Sequence, residues 1–328
     1  MLKVAVDSGP ITGGDCHRGI GVYTRELLKA LRMDGVDISK EDLGKYDVVH
    51  FTRFNPFIVS VPFSKPKKTK FVLTIYDLIP LIYPDHYLLG VKGLIKLAIN
   101  KYLIRRNVDA IITISETSKK DICRFFAIDP KLVHVIYLAP RSVFHPISNR
   151  QSLIKMQKKY NLPKSFALYV GDINYNKNVP NLVKACKIAK MPLVIAGKQV
   201  KEVESLNLNH PELKHLKNID WSEILRLGFV PDSDLVAIYN LAAVYVQPSL
   251  YEGFGLPVLE AVACNTPIVA TKTQALVEIL GDGLNYVDPS DPKEIAMSIL
   301  NPNKNVKLPR IYSWEKMAKE TFKVYEDV

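Results

Sequence analysis

The sequence predicts two consecutive α/β domains, each built on a parallel sheet. Three observations carry that reading. Short β-branched runs alternate with segments of helical period along the whole chain. The alternation begins afresh after Pro163. A length of 328 residues exceeds the usual size of one compact domain and suits two, each able to bury its own core.

In the first half the strands fall at Lys3–Asp7, Val48–Phe51, Phe71–Ile75, Ala110–Ile114 and Val133–Ile136, with helices such as Val22–Leu31 and Thr117–Phe126 among them. The second half gives strands at Ala167–Val170, Pro192–Ala196, Asn218–Trp221, Leu227–Phe229, Ala243–Gln247, Ile268–Ala270 and Asn285–Val287. Its helices run over Val179–Ala189, over Asp234–Leu241 and onward from Pro257. Between the halves, 144–164 mixes Pro146, Asn149 and Arg150 with a short basic helix, so the boundary is set there, with domains 1–160 and 161–311. Two Rossmann-like units facing one another form a cleft at the carboxyl ends of their strands, where open α/β sheets bind ligands.

Composition narrows the class. With 48% hydrophobic and 23% charged residues the chain is a folded protein and neither disordered nor fibrous. The opening run to Asp7 meets a carboxylate at once, as a buried strand does and a signal peptide does not, and no apolar run has the length to cross a bilayer. The expected location is the cytoplasm. Cys16, Cys123, Cys186 and Cys264 stand far apart without a C-x-x-C pair and read as buried thiols. Residues 1–163 hold 26 Lys and Arg against 14 Asp and Glu, whereas 164–328 hold 18 against 19. All the excess positive charge is therefore in the first half. Such a field attracts nucleic acid, an anionic membrane or a phosphorylated substrate, and a lysine-rich surface without a partner fits equally well.

The most informative segment runs Gln247-Pro-Ser249-Leu-Tyr-Glu252-Gly253-Phe254-Gly255-Leu256-Pro257-Val-Leu-Glu260. It reads as strand, tight loop and helix. Gly253 and Gly255 let the backbone approach a ligand, Pro257 presets the first helical turn, and the helix start offers free N–H groups to an anion. Glu252 and Glu260 flank that phosphate cradle, each able to accept hydrogen bonds from a sugar. The competing reading is a Gly-rich loop with two solvated glutamates.

Glu252 and Glu260 form an E-x7-E arrangement inside an S-x-x-E-G-F-G-L-P block that resembles the retaining glycosyltransferases of family 4, which have the GT-B fold. The resemblance spans nearly the whole chain. It implies that Glu252 and the backbone of Gly253, Phe254 and Gly255 grip the transferred sugar, that Ser249 and Leu256 belong to the donor site, and that Glu260 takes the ribose hydroxyls. Upstream, Gly171 to Lys177 resembles the strand-to-loop segment that faces the donor diphosphate, with Lys177 as its cation. Phe229 and Val230 match the stretch that receives the nucleobase. Gly19 and Gly21, in a G-I-G-x-Y-T turn after Gly13-Gly14, match a turn close to the diphosphate from the acceptor side. Tyr312 to Glu320 resembles the closing helix that crosses back onto the first domain. The catalytic set so implied is Glu252, Lys177 and Tyr76.

Two departures stand out. Tyr76, in Tyr76-Asp77-Leu-Ile-Pro80, occupies the place of the family's His, and Asn176 that of an Arg beside Lys177. Lys198 is a candidate to complete the cationic clamp, although a Lys after a strand is more often exposed. Asp232-x-Asp234 leads directly into a helix pattern and reads as helix capping in preference to a metal site. Ser115, in a segment resembling the family's V-S-x-x-S strand-to-helix turn, reads as a helix cap in preference to a cleft-lining residue, and His50 as either a cleft residue or a satisfied core histidine.

The resemblance further implies a metal-independent hexosyltransferase needing no cofactor, with GDP-mannose as the preferred donor and UDP- or ADP-sugars on the same scaffold. Its partners are the nucleotide sugar and a glycan or lipid-linked acceptor. The stretch His86 to Arg106 has an amphipathic, cationic helix pattern; with Lys65, Lys67, Lys68 and Lys70 it either rests on an anionic membrane, making the protein peripheral on the inner face, or packs inward with a solvated basic edge. Three rivals remain: an epimerase on the same scaffold, a nucleotide-sugar binder with little turnover, and a basic nucleic-acid-binding protein. The last needs aromatics among the lysines, which 65–70 lacks, so no nucleic acid is expected.

Overall fold

The structure, a computed structural model, describes residues 2–12 and 19–328; Gly13, Gly14 and Cys16 lie outside the described residues. The chain divides into two units, Met1–Ala139 with Tyr312–Val328, and Pro140–Ile311.

In the first unit β1 (Val4–Val6), β2 (Val48–Phe51), β3 (Lys70–Thr74), β4 (Ala110–Thr113) and β5 (Val133–Val135) pair in that order, all parallel. On the free edge of β1, Val36 forms a parallel bridge with Asp7. The chain therefore leaves β1 on one side, returns, and continues from β2 on the other. That reversal puts the topological switch, and the crevice that goes with it, at the carboxyl end of β1. Helix Gly19–Leu31 follows there. The inner strands are buried along their length, which is why they read as unbroken apolar runs.

The second unit has the order β10 (Ile268–Ala270), β9 (Val244–Gln247), β6 (Ala167–Val170), β7 (Leu193–Ala196) and β8 (Ile224–Gly228), again all parallel. This is the winding of a Rossmann half. Its switch lies between β6 and β9, so the loops that leave those two strands share one crevice.

Several expectations are corrected. No strand forms at Asn218–Trp221: a turn at Lys214–Leu216 and the Asp220–Ser222 bonds hold it as a loop, with Ile219 and Trp221 packed against the core. The strand expected at Leu227–Phe229 starts earlier and ends at Gly228, whose φ of +73° stops the ladder. Asn285–Val287 reduces to a bridge between Val287 and Thr271. Cys186 and Cys264 are buried, but Cys123 is only half-buried. The units part at Ala139/Pro140, ahead of 144–164, because the linker is packed onto helix Asp232–Leu241. There Asn240 Oδ1 accepts from Ile147 N at 2.7 Å and Asp234 Oδ2 from Tyr160 Oη at 2.6 Å.

Helix Gly90–Asn107 buries Gly93, Leu97, Asn100, Leu103, Ile104 and Asn107. The two asparagines set its rotation: Asn100 Nδ2 donates to Ile58 O at 2.7 Å and Asn107 Nδ2 to Pro62 O at 2.8 Å. Val91, Leu94, Ile95 and Tyr102 consequently face outward among Lys92, Lys96, Arg105 and Arg106.

Helix Trp314–Asp327, capped by Ser313, packs on helix Gly19–Leu31. A buried chain of hydrogen bonds ties them through the sheet: Tyr325 Oη to His50 Nδ1 at 2.6 Å, His50 Nε2 to Thr74 Oγ1 at 2.7 Å, and Thr74 Oγ1 to Tyr23 Oη at 3.3 Å. His50 is thus a satisfied core residue. Burial alone drives its imidazole down to about 3, so it folds neutral. A folded-state value below the unfolded one means that the unfolded chain binds the extra proton, and the stabilisation present above pH 6.5 is lost as the pH falls toward 3. His50→Gln is expected to cost about 2 kcal/mol at pH 7, and that cost should shrink by about 1.4 kcal/mol per pH unit below 6.5. Urea unfolding of both proteins from pH 7 to pH 5 checks this; a cost independent of pH contradicts it.

Candidate functional site

The loops leaving β6 and β9 are joined by one backbone bond and two asparagine amides. Leu250 N donates to Asn176 O at 2.8 Å, Asn176 Nδ2 to Tyr251 O at 3.1 Å and Asn178 Nδ2 to Pro248 O at 2.8 Å. Asn176 is 3% exposed. The residue in the place of the family's Arg is therefore a buried clip between two loops and not part of a cationic clamp. Lys198 is exposed at the start of the short helix Lys198–Lys201.

The clip brings Lys177 against Glu252. Lys177 Nζ donates to Glu252 Oε1 and Oε2 at 2.8 and 2.9 Å. Gln247 Nε2 and Ser249 Oγ donate to the same Oε1 at 2.7 and 2.6 Å, and Gln247 is itself held by the Tyr245 hydroxyl. Among the described residues Oε1 carries three bonds and Oε2 one, so Oε2 is the oxygen with lone pairs to spare. Ser249 is fully buried and acts inward, on Glu252. Gly255 then turns the chain into helix Leu256–Ala263 at φ +109°; a Cβ there would lie 2.8 Å from Leu276 Cδ2, so only glycine fits. Phe254 is buried, and at the end of β6 the Gly171 carbonyl leaves no room for a side chain at Gly197.

Glu260 lies in the same helix and is 4% exposed. Arg141 Nη2 donates to its Oε1 at 2.7 Å and Tyr239 Oη to its Oε2 at 3.2 Å. Burial raises the carboxyl above its ordinary range, while the Arg141 charge and the bonds from Arg141 and Tyr239 pull it back down. The second guanidinium arm pairs with Asp232. Sequence reasoning missed Arg141, because a lone Arg in a linker carries no spacing signal. Asp232 and Asp234 do open a helix, as expected, but Pro231 is the cap residue. The aspartates occupy its first turn, where they favour the helix dipole, and Asp234 is bound by Lys159 and Tyr160. After β8, Phe229 is 52% exposed and Val230 is buried.

In the first unit Gly19 and Gly21 open helix Gly19–Leu31, and among the described residues nothing lies within 4 Å of a Cβ built on Gly19. Tyr76 stands edge-on to Tyr23, with ring centroids 5.3 Å apart, and donates its hydroxyl to Thr52 O at 2.7 Å. Ser115 caps helix Glu116–Phe126, accepting from Ser118 N at 3.0 Å. The structure thus joins Lys177, Ser249 and Glu252 directly, puts Gly253 to Leu256 and Glu260 on the continuing loop and helix, and keeps Gly19, Gly21 and Tyr76 in the other unit.

Comparison with known proteins agrees with this geometry. Glycosyl transferases group 1 matches residues 151–313 and Glycosyltransferase Family 4 matches residues 38–139. The O-antigen chain mannosyltransferase B of Escherichia coli is 31% identical over 233 residues, 66% of this chain and 60% of that protein. The serotype-specific mannosyltransferase WbdA of Escherichia coli is 30% identical over 263 residues, 76% of this chain and 31% of that protein. The chain thus spans less than two thirds of the length of these relatives. Among solved structures, Anabaena Alr3699/HepE in complex with UDP-glucose superposes with a TM-score of 0.66 at 17% identity, covering 100% of this chain and 94% of that one. A glycosyltransferase from Rickettsia africae gives 0.59 at 16%, covering 99% and 97%. These likenesses establish the fold as GT-B. The matched families, the mannosyltransferase relatives and the glutamate-bearing loop agree, and the chain belongs to the glycosyltransferases of group 1 and family 4.

Proposed function

We propose that the chain transfers a hexose from a nucleotide diphosphate sugar to an acceptor hydroxyl with retention at the anomeric carbon. The observation that carries this reading is the pair of buried glutamates, Glu252 and Glu260, at either end of the backbone that starts helix Leu256–Ala263, each partnered by a cation and each with lone pairs left over. In this reading Glu252 Oε2 accepts from a hexose hydroxyl, Glu260 from the ribose, and the base lies by Phe229 and Val230. The first N–H groups of the helix and Lys177 stabilise the charge on the departing diphosphate, in place of a divalent ion. As the bond from the sugar to the leaving oxygen breaks, the acceptor oxygen bonds to the same face, and the acceptor's proton passes to the diphosphate.

GDP-mannose is the proposed donor, supported by the mannosyltransferase names of the relatives. UDP- or ADP-sugars are the other donors this scaffold admits, UDP-glucose being the one held by HepE. The acceptor is a glycan or lipid-linked glycan, in line with the O-antigen chain relative. One observation favours a second reading, a nucleotide-sugar binder with little turnover: Tyr76, in the place of the family's His, is 8% exposed and donates its hydroxyl to Thr52 O.

Thermal unfolding with GDP, UDP, ADP and their sugars tests the donor site. The cognate nucleotide is expected to add about 2.7 kcal/mol at a hundred times its Kd and to lose that effect in Glu260→Ala. Equal protection of both proteins, or protection by no nucleotide, contradicts the reading.

We further propose that the outward stripe Val91, Leu94 and Ile95, interleaved with Lys92 and Lys96, rests on an anionic membrane at the inner face. The protein is expected to sediment with phosphatidylserine vesicles, less at high salt, and not with phosphatidylcholine alone. Lys92→Glu with Lys96→Glu should abolish sedimentation; equal binding to both lipids, or to neither, contradicts this role.

A further inference from the structure

We propose that Arg141 is a positioning residue of the donor site, holding Glu260 turned and ionised to accept the ribose hydroxyls of the nucleotide. The role rests on the donor reading above.

The Arg141 side chain is 16% exposed, and its guanidinium bridges two carboxylates, one arm on Asp232 and the other on Glu260 Oε1 at 2.7 Å. Its plane lies over Phe144, 4.9 Å from the ring centroid. Phe144 stands edge-on to Tyr239 at 5.5 Å, and the Tyr239 hydroxyl donates to the other oxygen of Glu260 at 3.2 Å. Arg141, Phe144 and Tyr239 thereby fix both oxygens of one carboxylate. A lysine has a single point of charge and cannot span Asp232 and Glu260 while stacking on an aromatic face. The arrangement also leaves Arg141 Nε buried with no hydrogen-bond partner among the described residues.

What the fork supplies is an acceptor. An ionised carboxylate has about four lone-pair sites, of which Arg141 and Tyr239 use two. The remainder suit the two hydroxyls of a ribose. A protonated Glu260 would present an O–H donor there and meet two donors poorly. The titratable groups around Glu260 are Arg141, Asp232, Tyr239, Tyr245 and Cys264. Of these only Arg141 is a cation, and burial pushes the Glu260 carboxyl up against it.

The test measures, by titration calorimetry, the affinities of GDP, UDP and ADP and of their 2′-deoxy forms for the wild type, Arg141→Met and Arg141→Lys. For the nucleotide that binds, the wild type is expected to prefer the ribose form by roughly tenfold at every pH between 6 and 9, as for hydrogen bonds to an ionised group. In Arg141→Met the preference should fall to about twofold or less at pH 6 and return as the pH rises and Glu260 ionises. Arg141→Lys, which keeps the charge and guards against a folding defect in the Met variant, should lie between. A ratio unchanged in both variants, with the two affinities falling together, makes Arg141 merely structural and overturns the proposal. Binding of no nucleotide to the wild type overturns the donor reading itself, and this role with it.

Discussion

The ion pair between Lys177 and Glu252 is the constraint around which the second unit is arranged. A carboxylate that is only 7% exposed is costly unless a cation and hydrogen-bond donors meet it. Here the cation comes from the loop after β6 and the carboxylate from the loop after β9. The two loops meet only because β6 and β9 are neighbours, which the sheet achieves by winding out to β8 and returning on the other side. Asn176 and Asn178 then lock the loops with bonds to backbone carbonyls, and Tyr245, Gln247 and Ser249 carry hydrogen bonds in one direction, toward Oε1. The other oxygen is left with capacity for a ligand.

The two glutamates solve one problem in two ways. Glu252, in the loop, is met by a lysine whose flexible stem can follow a diphosphate. Glu260, inside the helix, is met by an arginine whose flat fork is pinned by Asp232 and Phe144. The difference matches the chemistry proposed for each. In the proposed reaction one carboxylate lies where charge must redistribute during transfer, and the other grips a part of the donor that does not react.

Much of this was legible in the sequence because the signals are local. The strands on both sides of the site are short apolar runs, and Gly253, Gly255 and Pro257 announce a turn that enters a helix at close quarters. The spacing of Glu252 and Glu260 is a property of seven intervening residues and needs no tertiary knowledge. What was not legible depends on pairs distant in the chain. Arg141 reaches Glu260 across 119 positions, and nothing near Arg141 marks it. Asn176 reads as a missing cation until its amide is seen to bind Tyr251 O. His50 was undecided because its partners, Thr74 and Tyr325, come from a neighbouring strand and from the last helix. The failed strand at Asn218–Trp221 has only Ile219 and Trp221 in its favour, and a preceding turn and an Asp220–Ser222 motif win locally. On helix Gly90–Asn107 the buried positions include two asparagines, a choice that pattern rules do not anticipate.

In the proposed reaction Glu252 binds the sugar being transferred while the rest of the cradle binds the nucleotide. The most direct measurement is the affinity of GDP and of GDP-mannose for the wild type and for Glu252→Gln. The variant is expected to hold GDP as the wild type does and to lose the added affinity that the mannose brings. If Glu252→Gln weakens GDP and GDP-mannose by the same factor, Glu252 does not touch the sugar and the assignment of roles around the Lys177 pair is wrong.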